Sequence, residues 1–318
     1  MAKRVKGFKG TTAGAKRSDH ATIADDAINK ARKDLADAEA EVAADKAKPL
    51  KKDNAALTNK NIMANLGDAP YVVFALDSTG SMSSCIQECR NNLRDLISQL
   101  LQDNPRTRVG FVLFGDYIDE QHCISIKDFC NNADEIIEFI NNTSNTSGGD
   151  IPECYELVLN RVADMDWTEE GGALVLVGDA LPHPTQDPDP INNPEHLDWE
   201  KEIQRLLTKK VKVFPCQCLY AAGQSMINDF WSKVADLCQT PLLKMDFQDS
   251  SYTLASVAYA SVGGSDGLRS FSSKGHTIGF AAASAKYSKT LETLTSYTAS
   301  LDKSSSTGIT KDGVDKSE

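Results

Sequence analysis

Oxygen-bearing side chains alternate in Asp77-Ser78-Thr79-Gly80-Ser81-Met82: a carboxylate on Asp77 and hydroxyls on Thr79 and Ser81. Hard oxygen donors of this kind suit magnesium (Mg2+), Mn2+ or Ca2+ rather than zinc. The preceding residues, Tyr71-Val72-Val73-Phe74-Ala75-Leu76, have the length and the β-branched and aromatic content of a buried strand. The stretch from Ser83 to Leu101 reads as a helix. The hexapeptide is then the turn between a central strand and its helix. In an open α/β sheet such turns lie at the carboxyl edge, where ligands bind. A local reading competes: Thr79 and Ser81 cap the helix, and Asp77 accepts from backbone N–H groups.

Two later segments bear on that choice. Ser147-Gly148-Gly149-Asp150-Ile151-Pro152-Glu153 is a glycine turn with an acid, then a proline suited to the first turn of a helix over 152–163. Ala173-Leu174-Val175-Leu176-Val177 is a second buried strand, and it ends in Gly178-Asp179-Ala180-Leu181-Pro182-His183. In this order the three segments resemble the metal-ion-dependent adhesion site (MIDAS) of von Willebrand factor A (vWA) domains. The likeness is strongest to a subgroup of microbial proteins and alpha-kinase relatives whose motifs read close to DSTGSM, GGGD-x-PE and TDAPPHG. It covers residues 68–262.

The resemblance implies that Thr79 and Ser81 coordinate an ion directly, with Asp77 and Asp179 supplying carboxylates directly or through water. It implies Mg2+, with Mn2+ or Ca2+ possible, and an open position that a partner's carboxylate often fills. In the third loop the family's usual threonine is not clearly matched; Asp150 falls at or beside it. If Asp150 faces the metal, three carboxylates meet one divalent ion, and the ion is more structural than adhesive. The alternative keeps Asp150 as the cap of helix 152–163. Ser147 and His183 are candidates for partner contact, against a His183 that merely faces solvent between two prolines.

Elements alternate through the core: strands 71–77, 109–114, 173–178, 211–216 and 242–246 between helices, with 123–126 as a short antiparallel edge strand. This implies an α/β, doubly wound, mostly parallel six-stranded sheet of vWA or Rossmann-like type, preceded by an N-terminal helical extension. Right-handed crossovers place the first and fourth strands side by side, so that Asp77 and Asp179 become neighbours.

The expected organisation is a basic disordered arm at 1–17, an amphipathic helix at 18–48, a linker at 49–66 and the vWA domain at 67–262. A C-terminal extension follows at 263–301, with a hairpin around Phe271 and Ile278 and a helix from Tyr287 to Leu301; a disordered tail occupies 302–318. The 318 residues carry a net charge of −11, while the arm holds six cations and no acid. An acidic body argues against nucleic acid, except for weak contact through the arm. No apolar stretch is long enough for a membrane span. Eight cysteines without a secretory signal point to the cytoplasm, or to a particle assembled there. Cys85 and Cys89, and Cys216 and Cys218, lack zinc-site spacing and read as buried thiols.

Catalysis lacks support: GxxxxGK[ST], GxGxxG and GxSxG are all missing. The expectation is a non-enzymatic protein-interaction module, tethered to an oligomer or larger assembly by its N-terminal extension. A structural component of a particle, a viral one included, or of a multi-subunit complex comes second, and a metal-dependent hydrolase third.

Overall fold

The computed structural model describes residues 70–149, 151–218, 225–274 and 285–307, all within one unit, Leu66–Glu318. The arm at 1–17, the helix at 18–48, the linker at 49–66, Asp150, Ile278 and the end of the tail lie outside them.

The core elements follow the chain in the expected order. β1 (Tyr71–Asp77) leads into α1 (Ser83–Asp103), then β2 (Arg108–Phe114), β3 (Ile124–Cys130) and α2 (Ala133–Asn142). A two-residue strand β4 (Pro152–Glu153) precedes α3 (Tyr155–Ala163) and β5 (Gly172–Gly178). Next come a second two-residue strand, β6 (Leu181–Pro182), α4 (Trp199–Thr208), β7 (Val211–Cys218) and α5 (Ser225–Cys238). The described chain finishes with β8 (Leu243–Met245), α6 (Ser250–Lys274) and α7 (Ala285–Thr307). The main sheet runs β3-β2-β1-β5-β7-β8, parallel except for β3, which pairs antiparallel with β2.

β1 is central because both its faces are apolar. Val72, Phe74 and Leu76 bury against α1, α2, α6 and Leu294 of α7. Val73 and Ala75 bury against α3, α4 and α5. A strand covered on both faces reads as a continuous hydrophobic run, which is why this one was legible. The register Leu76↔Val177 brings Asp77 beside Gly178 and Asp179, as the crossover argument requires.

Several expectations need correction. The helix expected at 152–163 begins only at Tyr155, with Cys154 as its N-cap residue. Pro152 and Glu153 instead pair in parallel with Leu181 and Pro182, so Asp150 is not the cap of that helix. The helix between β6 and β7 begins at Trp199, where the Asp198 side chain accepts from the N–H groups of Glu200 and Lys201. No hairpin forms around Phe271: α6 continues through it, broken only at Gly264 (φ 55°), and Phe271 stacks on Tyr259 with ring centroids 4.9 Å apart. Leu268, Phe271 and Leu294 bury in the same core as β1, so residues beyond 262 are integral to the fold. α7 also runs past Leu301 to Thr307.

Candidate functional site at the carboxyl edge

Asp77 closes β1 and is fully buried. Its Oδ1 accepts from Thr79 N–H at 2.9 Å and from Thr79 Oγ1 at 2.6 Å. Its Oδ2 accepts from the Tyr155 hydroxyl at 3.0 Å. Ser81 Oγ donates to Asp179 Oδ1 at 3.1 Å and lies 3.4 Å from Thr79 Oγ1. Residues 77, 79, 81 and 179 therefore form one hydrogen-bonded cluster, joining segments about a hundred residues apart in sequence. The hydroxyls do not cap the following helix: the N-cap residues Thr79 and Met82 make no side-chain capping bond.

Ser78 ties a third loop to this cluster. Its hydroxyl donates to Phe114 O at 2.8 Å, and its carbonyl accepts from Thr146 N–H at 3.1 Å. Asp119 then holds the glycine turn, accepting from Ser147 N–H (2.9 Å) and Gly148 N–H (3.3 Å). Gly148 has φ 66°, a left-handed conformation that glycine adopts without strain. Ser147 is exposed at this edge, where a partner could reach it; Asp150 lies outside the described residues.

Three residues of this site went unread in the sequence. Tyr155 is fully buried, and its oxygen both donates to Asp77 and accepts from Ala180 N–H at 3.3 Å, linking β1, α3 and the loop after β5. Glu153 is 5% exposed, yet its Oε2 has no hydrogen-bond partner. Its carboxylate points at the glycine turn: a Cβ on Gly148 would sit 3.1 Å from Glu153 Oε1 and 3.3 Å from Thr79 Cγ2. The Pro-Glu of the third-loop motif was the available signal, read instead as the opening of a helix. Asp116, the third, anchors His183.

His183 is not available to a partner. It is 1% exposed. Its Nε2 lies 2.7 Å from Asp116 Oδ1, and its Nδ1 lies 3.3 Å from Asp187 Oδ2. Its backbone N–H donates to Glu156 Oε2 at 3.1 Å, and Glu156 Oε1 accepts from the Tyr117 hydroxyl at 2.8 Å. The histidine between prolines is thus a buried clasp, because carboxylates on three sides replace its hydration.

Electrostatics at the cluster are unfavourable without a counter-charge. Burial, reinforced by the charge of Asp179, pushes Asp77 up to about 7. Burial also raises Asp179. Burial and the charges of Asp77, Asp116, Asp119 and Asp179 push Glu153 up to about 10. Among the described residues, no group of three or more His, Cys, Asp or Glu side chains is arranged to hold a metal alone. Any ion here would depend on the hydroxyls of Thr79 and Ser81. The unpartnered buried Glu153 oxygen, beside hydroxyls and carboxylates, fits a hard divalent cation. Cys85, Cys89, Cys216 and Cys218 are buried in the apolar core, away from such a role.

The family model for the von Willebrand factor type A domain matches residues 72–230, half of the chain. The chain belongs to that family. It is 21% identical over 153 residues to a chain of Acanthamoeba polyphaga mimivirus described as an ariadne-like RING finger protein, covering 45% of this chain and 15% of that one. Two crystal structures of the pilus adhesin SpaC from Lactobacillus rhamnosus GG align at 13% identity, with TM-scores of 0.47 (open conformation) and 0.49. Each alignment covers 65% of this chain and 31% of SpaC, so the chain spans less than a third of the length of these proteins.

Proposed function

We propose that this chain is a non-catalytic protein-interaction module whose carboxyl-edge cluster holds a divalent cation, Mg2+ first, with Mn2+ or Ca2+ as substitutes. The observation that carries the reading is the contact between Ser81 Oγ and Asp179 Oδ1, which unites the two motif-bearing loops. Thr79 and Ser81 would offer hydroxyl oxygens, and Asp77, Asp179 and Glu153 carboxylates; Asp150, by its place in the sequence, is a further donor. When bound, the ion supplies positive charge and can accept an oxygen ligand. The protein's own part is to hold the donors still: Tyr155 fixes Asp77, Asp119 fixes the glycine turn, and the His183 clasp fixes the loop after β6. Ser147 faces the partner, and the N-terminal extension, residues 1–48, tethers the module to a larger assembly.

One observation favours a second reading. Glu153 is a further in-built carboxylate, buried beside the glycine turn, which suits an ion that stabilises the loops of a structural component.

Thermal unfolding of the full chain with EDTA, Mg2+, Mn2+ and Ca2+, beside Asp77→Ala, tests the proposal. An ion that binds only the folded state stabilises it by about 2.7 kcal/mol at a hundred times its Kd. We expect that shift in the native chain and none in the variant. Equal unfolding under all conditions would refute the metal site.

A further inference from the structure

The edge that carries the site is charged with one sign. Its loops, residues 78–82, 115–123, 143–153 and 179–198, contain no Lys or Arg. Nearby cations are engaged from behind: Arg90 donates to the carbonyls of Ile140 and Thr143, and Arg161 pairs with Glu195. The opposite end of the sheet is different, with Arg106, Arg108, Lys209, Lys210 and Lys212 around the strand starts. One divalent ion cannot neutralise the carboxyl edge. Outside the buried Asp77, Asp179 and Glu153, Glu120 and Asp189 stand in solvent.

The same edge exposes apolar side chains. Ile118 is 58% exposed and Ile151 50%, in the loops that follow β2 and precede β4. They flank the glycine turn: a Cβ on Gly149 would sit 3.1 Å from Ile118 Cγ2. Met226, 66% exposed, opens α5 where β7 leaves the same edge. Large hydrophobic residues among the described residues are otherwise mostly buried, so apolar side chains around an acidic centre mark a contact surface. The buried Glu153 carboxylate beside the glycine turn, one of its oxygens without a hydrogen-bond partner, adds a further acceptor to the same edge.

From these observations we infer that the carboxyl edge docks a Lys/Arg-rich segment of a partner protein bearing an apolar anchor. The anchor lies on Ile118 and Ile151, and the cations face Glu120 and the acids around the glycine turn. This rests on the interaction-module reading and departs from the acidic ligand that reading first implies. With its own carboxylates turned inward, the site repels a further one, whereas cations on the partner complete its charge.

The test uses the full chain in saturating Mg2+ and fluorescence anisotropy of a short labelled peptide of Lys and Arg around a central Phe-Leu pair. The control peptide has every Lys and Arg replaced by Glu. The basic peptide should bind, and more weakly as salt rises; the acidic one should not. Ile118→Ser with Glu120→Lys, both at exposed positions, should weaken binding about tenfold, and Ile151→Ser alone should weaken it in the same direction. Lys212→Glu at the opposite edge should not weaken it. Binding of the acidic peptide, equal binding or non-binding of both, or edge variants indistinguishable from the native chain would overturn the inference. Mg2+ stabilisation that is lost in Asp77→Ala is read separately, so the metal site stands or falls independently of the peptide.

Discussion

Gly178→Ala is the most informative single substitution at this site. A Cβ at position 178 would lie 1.8 Å from the Tyr155 hydroxyl oxygen, 2.8 Å from Cζ and 3.1 Å from Cε1. The ring has nowhere to retreat, being packed against Phe114, Phe230 and Trp231 with centroids 5.0 to 5.5 Å away. Overpacking costs about 1–3 kcal/mol. Displacing the hydroxyl also strips a buried carboxylate of a donor, worth about 1.5–3 kcal/mol. Gly178→Ala should therefore destabilise the protein by about 3–6 kcal/mol. Tyr155→Phe removes the same hydrogen bond without the clash and should cost about 2 kcal/mol. Once Tyr155→Phe has removed the oxygen at 1.8 Å, adding Gly178→Ala should cost only about 1–2 kcal/mol more. The two substitutions are thus coupled by about 2–4 kcal/mol, measurable by urea unfolding of the four proteins in EDTA. Additivity within about 0.5 kcal/mol would refute the argument that the glycine exists to admit the tyrosine oxygen.

Neighbouring features give further expectations. Asp77 has a folded pKa of about 7, raised from 3.8, so its stabilising contribution is complete below about pH 4 and is lost as pH rises through 7. In EDTA, unfolding measured from pH 4 to 7.5 should show a loss of which up to about 4 kcal/mol belongs to Asp77; Asp77→Asn should make the slope shallower while Glu153 keeps part of it, and equal slopes would count against the reading. Burial alone would depress His183, but its bonds to Asp116 and Asp187 and the charge of Glu156 leave it raised above 6.5. Its contribution is therefore full below 6.5 and fades as pH climbs through its raised value. His183→Gln should cost about 3 kcal/mol at pH 6, and the gap should narrow in alkaline buffer; a constant gap would show the clasp to be uncharged. Phe271→Ala should cost about 3–5 kcal/mol, whereas a loss under about 0.5 kcal/mol would make the segment after 262 an appendage.

How far the sequence carried these conclusions depended on how many residues wrote each signal. β1, β5 and β7 are long apolar runs, legible because both faces of a central parallel strand must be buried. The turn from Asp77 to Ser81 was legible because strand and helix signals bracket it. β4 and β6 are two residues each, too short for any periodicity, and Pro152 reads equally well as a helix start. That error hid Glu153, since a glutamate in a helical first turn calls for no further account. His183 was misplaced because two prolines and a run of acids resemble a solvated loop, while its anchor Asp116 lies 67 residues away. Gly263 and Gly264 stand just ahead of the segment expected to form a hairpin. A Cβ at either would meet nothing within 4 Å, so the pair only breaks the helix, and Phe271 still reaches the core.

The two margins of the main sheet have a consequence of their own. At one margin β8 is only three residues long and carries Lys244 at its centre. At the other, β3 runs against the grain of the sheet, slips register between Val109 and Phe111, and bears Lys127, paired with Glu135, followed by Asp128. Short length, irregular register and charge are the devices by which natural sheets refuse an extra strand. Growth of the sheet is discouraged in both directions, and the chain can be crowded without zippering onto its neighbours. A partner that takes hold of it is thereby directed away from strand addition and towards the loop ends.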